Sequence, residues 1–213
     1  MPRLLHFSIF ASLLLFFSPF SSAQKITTVT ITAAPTIPSA VPQFTDEDTF
    51  TSAILNSTNV YREAHNASAV AWNRTLASFA ADYLKSDAVG AACAFAHSGG
   101  PYGENLALGY ANATASVEAW GDEGARYNFH KPGFSEATGH FTQLVWKNTS
   151  AVGCGRRLCG ERGWYLVCEY WPRGNVIGAF AGEVDEPENS AARMRAGWLG
   201  LVAVGVVGLW IVS

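Results

Sequence analysis

The central part of the chain begins with a strong helical pattern of apolar residues. The segment TDED at 45–48 matches a capping box, in which a Thr side chain and an acid three residues later satisfy the first backbone amides of a helix. Phe50, Ile54 and Tyr61 then recur at helical spacing. The pattern predicts a first helix over about 46–64.

A second helix is predicted after Asn73, which is a favourable N-cap residue. Apolar residues between 76 and 84 keep the i, i+3, i+4, i+7 order of an amphipathic helix. A third helix is expected over about 113–127, where Glu123 lies between two aromatic residues on one face. A short helix is expected over 136–147.

Strand patterns are concentrated late in the chain. Strands are predicted over 151–158 and 163–171, with a further one over 175–181. The segment HSGGPYGENLALG at 97–109 has the composition of a glycine-rich turn that leads into an apolar stretch. Helices followed by clustered strands indicate an α+β domain with helices packed on an antiparallel sheet.

The N-terminal part of the chain differs from the predicted domain. Residues 1–23 combine Arg3, an apolar run and small residues before Gln24, which predicts a secretory signal peptide. Residues 24–45 are rich in Thr, Pro and small residues, as is typical of an extended, O-glycosylated linker. One domain remains over 46–185, which is long enough to bury a core.

The C-terminal segment 186–213 ends in the apolar run WLGLVAVGVVGLWIVS. A transmembrane helix is one interpretation, but basic residues precede the run and none follows it. We favour a glycosylphosphatidylinositol (GPI) signal, since small residues, a polar spacer and an apolar tail follow one another. Asn189 or Ser190 is then the attachment residue. The protein is accordingly expected outside the cell, anchored to the plasma membrane or the cell wall.

Charge and cysteine content narrow the possibilities further. The formal net charge of -3 argues against a nucleic-acid partner, which normally shows a basic patch. All 4 cysteines fall within the domain of a secreted chain, so we expect two disulfides. If the two predicted strands form a hairpin, Cys154 lies nearly opposite Cys168, which leaves Cys93 to pair with Cys159. A zinc site is the alternative, although paired CxxC motifs are absent.

Sequons of the N-x-Ser/Thr type occur along the domain without an intervening proline, and each is a predicted N-glycosylation site on a secreted surface. They are at Asn56, Asn66, Asn73, Asn112 and Asn148.

Histidines and glutamates supply the candidate chemistry of the domain. The histidines are His65, His97, His130 and His140. Glu104 lies in a Gly-Glu-Asn turn, and Glu123 lies on an aromatic helix face. Two imidazoles and two carboxylates that converge can bind a divalent metal ion, with the carboxylates orienting the histidines or a bound water. From composition alone, each histidine is more often structural than functional.

Four segments carry motifs of a known family. GHFTQLVWKNT at 139–149 and YLVCEYWPRGNV at 165–176 match two signatures, the second except at Glu169, where the family usually carries Asn, Ser, Gln, Arg or His. HSGGPYGENLALGY at 97–110 and NVYREAHN at 59–66 match the remaining motifs. With these motifs the domain resembles the CAP superfamily (cysteine-rich secretory proteins, antigen 5 and pathogenesis-related proteins), in particular its fungal Pry-type members.

The resemblance implies a three-layer α-β-α sandwich with a shallow central cleft. The cleft tetrad of the family corresponds to His65, Glu104, Glu123 and His140. His65 and His140 are then expected to coordinate one divalent ion, zinc or magnesium, while the two glutamates act through water or hydrogen bonds. His97 and His130 lie off the motif positions and are expected to be surface or structural residues.

The resemblance also implies a function. Pry-type proteins bind sterols, fatty acids and related amphiphiles, so the chain is expected to bind and sequester or transport such ligands without catalysis. An apolar groove between the first and third helices is the expected site. The segment SDAVGAACAFA before the motif at 97–110 contains Phe95 as its only aromatic residue, whereas sterol-binding relatives have an aromatic-containing loop there. This difference weakens the case for a sterol more than that for a fatty acid.

Two other classes of function remain open at this stage. A hydrolase could use a metal-bound water between His65 and His140. A serine protease is disfavoured, because no G-x-S-x-G elbow occurs and Ser98 and Ser135 are more simply explained as turn or cap residues. The domain could also be a host-facing virulence protein or a cell-wall component whose partners are wall or host proteins.

Overall fold

The computed structural model describes residues 39–187. In chain order the elements are α1 (Pro42–Thr45), α2 (Glu47–Ala64), β1 (Ala71–Trp72), α3 (Arg74–Lys85), β2 (Gly103–Leu108), α4 (Ala113–Asp122), a 3₁₀ turn (Glu123–Arg126), α5 (Gly139–Leu144), β3 (Ala151–Leu158), a second 3₁₀ turn (Gly160–Arg162), β4 (Trp164–Trp171) and α6 (Phe180–Glu183). The predicted signal peptide, most of the linker, and the anchor signal with Asn189 and Ser190 lie outside the described residues.

The strands form one mixed sheet in the order β1-β3-β4-β2. β4 is antiparallel to both β2 and β3, of which the sequence predicts only the pairing with β3. β1 pairs in parallel with the start of β3, and this pair covers only Ala71 and Trp72. The edge of β3 beyond that pair therefore has no neighbouring strand among the described residues.

Helices cover both faces of the sheet, which gives the three-layer α-β-α arrangement. Tyr165 and Val167 of β4 face one core beneath α3, whereas Leu166 and Cys168 face a larger core beneath α2, α4 and α5. The approach of α3 to β3 depends on glycine, because a Cβ atom at Gly153 would collide with the backbone at the start of α3.

Both predicted disulfides are confirmed. Cys154 and Cys168 are directly opposite in the β3–β4 ladder, with their Cα atoms 4.1 Å apart. Cys93 and Cys159 link the segment after α3 to the β3–β4 turn, with a Cα separation of 6.0 Å. The cleft-facing segment that follows Cys93 is thereby tied to the sheet.

A buried arginine holds the end of α2 against the segment that follows α5. Arg62 has no exposed surface, and its guanidinium donates hydrogen bonds to the carbonyls of Ser68, Leu144, Trp146 and Thr149. Burial lowers the pKa of Arg62 to about 10, so the side chain stays cationic at neutral pH. Among residues 39–187 no acid pairs with Arg62, so the dipoles of these backbone carbonyls balance its charge.

Three predicted elements differ from the structure. The strand predicted over 175–181 does not form, because Asn175 (φ 56°) and Gly178 (φ 91°) adopt left-handed conformations that turn the chain towards α6. The third helix ends at Asp122 and continues as a 3₁₀ turn, and the helix predicted over 136–147 is shortened to Gly139–Leu144.

The start of the domain also differs from the prediction. Phe44 lies within the segment assigned to the linker, yet it is only 2% exposed and packs into the main core. Its ring stacks on that of Trp164, with centroids 5.0 Å apart. The folded domain therefore begins before residue 46, and α1 is part of it.

Candidate functional site

A cleft of about 600 Å³ lies where β2, the N-terminus of α5 and the segment after β4 meet. His97, Glu104 and His140 line it, together with Phe95, Phe134 and Arg173. Phe95 and Phe134 are each about half exposed. Glu136 also lines the cleft, which thus combines two imidazoles, two carboxylates and an accessible aromatic rim.

His140 is held at this cleft by Glu123. The Nδ1 atom of His140 lies 2.7 Å from Oε1 of Glu123. The other carboxylate oxygen of Glu123 accepts hydrogen bonds from the backbone amides of His140 and Phe141, at 3.0 and 3.2 Å. The imidazole also stacks on Trp120, with ring centroids 6.2 Å apart. Glu123 therefore fixes both the first turn of α5 and the orientation of the imidazole.

His97 and Glu104 form a second pair of the same kind. The Nδ1 atom of His97 lies 2.6 Å from Oε1 of Glu104, and the backbone amide of Ser98 donates to both carboxylate oxygens. The hydrogen bond to Glu104 raises the pKa of His97. Burial opposes ionisation of Glu104, but hydrogen bonds from His97 and Ser98 lower its pKa overall. Glu104 is therefore ionised, and its partner imidazole is the more basic of the two groups.

Glu169 lies beneath this second pair. It is opposite Glu104 in the β2–β4 ladder and is fully buried. No hydrogen-bond donor reaches either carboxyl oxygen from the described residues. Burial, followed by the negative charge of Glu104, raises the pKa of Glu169 to about 9. Glu169 is therefore protonated at neutral pH, and its proton supplies the hydrogen bond to Glu104.

The structure does not place His65 in this cleft, which corrects the predicted tetrad. His65 is only 7% exposed, and its Nδ1 atom lies 2.7 Å from the backbone oxygen of Asp185. Its ring packs against Phe129 and Phe141. Burial lowers the pKa of His65, which favours the neutral ring. His65 therefore acts as a structural residue. His97 occupies the position in the cleft that the family resemblance assigns to His65.

The signal that identifies His97 is present in the sequence. His97 and Glu104 are seven residues apart in the segment HSGGPYGE, and Gly99 adopts a left-handed conformation (φ 70°) within the turn between them. Such a turn folds the chain back, so that the first and last residues of the segment meet. Ser98 and Ser135 each accept a backbone amide hydrogen bond two residues on, which confirms their predicted turn roles.

A comparison with models of protein families identifies the family of the chain. The model for the cysteine-rich secretory protein family, CAP, matches residues 55–170, a range that contains both histidine–glutamate pairs and both disulfides. The chain belongs to the CAP family.

Fungal CAP proteins are among the similar sequences. Protein PRY2 of Saccharomyces cerevisiae is 49% identical over 137 residues, which are 63% of this chain and 41% of PRY2. Repressed by EFG1 protein 1 of Candida albicans is 46% identical over 131 residues, which are 61% of this chain and 48% of that protein. Secreted protein RBT4 of the same fungus is 38% identical over 135 residues, which are 61% of this chain and 36% of RBT4. The chain thus matches less than half the length of each of these relatives, one of which is named as secreted.

Solved CAP structures share the fold. Venom allergen-like protein 4 of Schistosoma mansoni superimposes with a TM-score of 0.52 at 23% identity and covers 67% of this chain and 97% of that chain. BmVAL-1 gives a TM-score of 0.54 at 21% identity, over 71% of this chain and 90% of that chain. The predicted α+β sandwich with two disulfides is thereby confirmed.

The two pairs of the CAP cleft suit a metal ion in their donor chemistry. When Nδ1–H donates to a carboxylate, Nε2 keeps its lone pair and the ring is oriented, as is common for metal-binding histidines. His97 and His140 would supply these two nitrogens, and imidazole ligands favour zinc over magnesium. Within residues 39–187, no three His, Cys, Asp or Glu side chains converge as a ready metal site. A bound ion would therefore need water or a ligand to complete its coordination.

A second concave surface of this CAP domain lies between α2 and α4, where the sequence predicts a ligand groove. It has a volume of about 720 Å³, and Ala53, Val60 and Tyr61 line it on the α2 side. Val60 is 66% exposed. The rest of the lining is mainly polar and includes Asp48 and Glu118. The groove shares no lining residue with the histidine cleft.

The predicted glycosylation sites take two kinds of position. Asn56, Asn66 and Asn148 are exposed. Asn73 and Asn112 are N-caps of α3 and α4, where Oδ1 accepts backbone amides and Nδ2, the atom that carries a glycan, is not needed for capping. Glycosylation of each site stays a prediction. Within residues 39–187, no helix is both long and apolar enough to cross a membrane.

Proposed function

We propose that this CAP protein is an extracellular binding protein for a small neutral amphiphile such as a sterol, and that it is not an enzyme. The groove between α2 and α4 carries this proposal. Val60 places a large, mostly exposed apolar side chain on its wall, beside Ala53 and the ring of Tyr61. An apolar ligand body that covers these residues would remove apolar surface from water, which is the main source of binding free energy in such sites.

The charge of the groove favours a neutral head group. Asp48 and Glu118 line it, and no Lys or Arg does. The hydroxyl of Tyr61 donates to Oδ1 of Asp122, and burial followed by the nearby acids raises the pKa of Tyr61 to about 12. An ionised fatty acid would bring a third negative charge to this surface, whereas a sterol hydroxyl would not. The groove therefore favours the sterol, although the segment containing Phe95 argues in the opposite direction.

Equilibrium binding of labelled ergosterol and labelled palmitate to the full chain tests the proposal. Val60→Asp adds a charge to the groove wall and should weaken ergosterol binding by at least about tenfold. Val176→Asp is the matched control, because Val176 is 45% exposed and does not line the groove. Tight palmitate binding with no ergosterol binding would contradict the neutral head group. If neither ligand binds the folded chain, the carrier function itself is wrong.

Anchoring at the membrane or wall is the second part of the proposal. Asn189 or Ser190 would carry the GPI group, which would keep the binding domain at the cell surface. Treatment of expressing cells with phosphatidylinositol-specific phospholipase C should release the protein, and replacement of both residues by bulky ones should abolish anchoring. Retention in the membrane after treatment would support a transmembrane helix instead.

A metal ion in the histidine cleft is a separate candidate, favoured by the two oriented imidazoles. An ion held by His97 and His140 would polarise a water or a ligand oxygen. Zinc titration by calorimetry should show that His97→Gln and His140→Gln each lower affinity by at least about tenfold, whereas His65→Gln leaves it unchanged. Equal effects of all three variants would refute this assignment of the ligands.

A further inference from the structure

Beyond β1, the outer edge of β3 presents backbone groups that pair with no other strand among residues 39–187. On that edge the carbonyl of Val152 accepts a hydrogen bond from the amide of Asn73. Cys159, an odd number of positions further on, points to the opposite side, where its amide donates to the carbonyl of Gly163 just before β4. Because successive residues of a strand direct their amides and carbonyls to opposite sides, Cys154 and Arg156 share the orientation of Val152. The close Cα approach of Cys154 to its β4 partner agrees, since it marks a pair that is not hydrogen-bonded.

These groups have no strand partner in the described part of the chain. β1 ends at Trp72, and the chain then enters α3. The amides and carbonyls of Cys154 and Arg156 therefore face this outer edge of β3. Every second residue of the strand directs one N–H and one C=O there. Such an edge is a template for another strand.

A groove of about 870 Å³ gives access to this edge. Cys154, Gly155 and Arg156 form its floor, and the first turns of α2 and the length of α3 form its walls. Trp72 lines one end, next to Val152, and Trp164 lines the other, opposite Leu158. These register positions are about 20 Å apart along β3, which is the length of a six-residue strand.

The two ends of the groove carry opposite charges. Arg74 follows Trp72 at the end near Val152, whereas Glu47 and Asp48 lie at the other end. Glu47 is paired with the guanidinium of Arg156 at 2.9 Å, which leaves Asp48 as the acid available there. The lining is thus neutral in total but strongly polarised along its length.

We propose that this groove binds an extended peptide, which adds a strand to β3 by hydrogen bonding to Cys154 and Arg156. The fitting peptide has a β-forming centre, a basic residue at the Asp48 end and an acidic residue at the Arg74 end. Side chains on one face of the added strand would pack between Trp72 and Trp164. A peptide fits better than an oligosaccharide, because only a strand repeats donors and acceptors at the spacing of the β3 edge. The site shares no lining residue with the histidine cleft, whereas Asp48 and Ser52 line both this groove and the one between α2 and α4.

Binding of designed peptides to the full chain, with both disulfides formed, tests the proposal. The probes are KTVTVTE and ETVTVTK, which cover the two strand directions, and versions of each with alternate backbone amides methylated. One probe should bind and slow the exchange of the Cys154 and Arg156 amides by at least about tenfold. Methylation of the alternate peptide amides that face β3 should abolish both the binding and the slowed exchange, because it removes the hydrogen-bond donors of the peptide.

Variants on α3 test the charge pattern. Arg74→Glu should weaken the probe about threefold, as expected for one rim charge, while Lys85→Glu on the same helix, outside the groove, should not. The β-1,3-glucan laminarihexaose is the competing ligand. If it perturbs the indole of Trp72 while neither peptide protects the two amides, the site is for carbohydrate and the proposal is wrong. Equal binding of methylated and unmethylated probes would also overturn it.

Discussion

Glu104 and Glu169 lie directly opposite each other in adjacent strands, although both are acids and Glu169 is fully buried. Hydrogen bonds from His97 and Ser98 hold Glu104 in the ionised form, against the effect of its burial. Glu169 has no such donors, so burial and the charge of Glu104 raise its pKa to about 9. The pair therefore shares one negative charge and one proton, at the position where the chain departs from the CAP signature.

This pair makes stability depend on pH. The pKa of Glu169 is raised from 4.5 to about 9 on folding, so the native state binds the extra proton between these values. The contribution of the proton on Glu169 to the free energy of unfolding is full below pH 4.5 and falls as pH rises towards 9. Glu169→Gln, which keeps a donor for Glu104 without an ionisable proton, should raise the free energy of unfolding at pH 7 by about 1–3 kcal/mol. Urea unfolding at pH 5 and pH 8 should show the larger gain at pH 8.

Glu161→Gln is the control for this comparison, because Glu161 is exposed. It should leave the unfolding curves unchanged at both pH values. An equal gain from Glu169→Gln at pH 5 and pH 8 would contradict a proton on Glu169 and would point to better packing instead.

The pKa of His97 provides a test of the second pair. Glu104→Gln should lower the pKa of His97, since the carboxylate is the main cause of its elevation. In an NMR titration, His65 serves as an internal reference with a pKa below 6.5 in both proteins. The stabilisation from the pair is complete below pH 6.5 and is lost as pH rises through the raised pKa of His97.

Glu136→Gln is the matched variant for this titration, because Glu136 lines the same cleft and is exposed. The pKa of His97 should stay within about 0.2 of the unsubstituted protein in this control. A similar fall in both variants would mean that the general charge of the cleft, rather than the contact with Glu104, sets the pKa.

Local patterns in the sequence were sufficient to predict much of the fold. The second predicted helix begins where Asn73 caps it, with Oδ1 accepting from the amides of Thr75 and Leu76. The β3–β4 hairpin and its disulfide follow from alternation and cysteine spacing. The sequence does not predict β2, because Gly103 begins it and its identity as a strand depends on pairing with β4, which lies far along the chain.

The candidate site was less accessible to sequence reasoning. His65 follows Tyr61 by four residues at the end of α2, a spacing that favours the buried face of a helix, and it is buried. Its partner, however, is a backbone oxygen of Asp185, a contact over 120 positions of the chain that no local pattern reveals. His97 is predicted to be a surface or structural residue because it lies off the motif positions, and 65% of its side chain is indeed exposed. Its role depends on the turn that returns the chain to Glu104.

The long-range disulfide should be the more important one for the histidine cleft. Cys93 and Cys159 are 66 positions apart, and closing a loop of that length is worth about 4 kcal/mol in the chain-entropy account. Replacing both by Ala should lower the melting temperature and speed amide exchange between residues 94 and 98. Replacing Cys154 and Cys168, which are 14 positions apart, should leave that segment protected. Faster exchange of the segment in the second variant only would contradict this assignment.

Arg62 should be the most sensitive single position in the support of α5. Arg62→Met keeps much of the side-chain volume but leaves the carbonyls of Leu144, Trp146 and Thr149 without their donor. The free energy of unfolding should fall by about 3–5 kcal/mol, since these oxygens are buried. Arg74→Met, at an exposed arginine of α3, should change it by less than about 0.5 kcal/mol. Urea unfolding measures both, and a loss below about 1 kcal/mol for Arg62→Met would mean that water replaces the guanidinium.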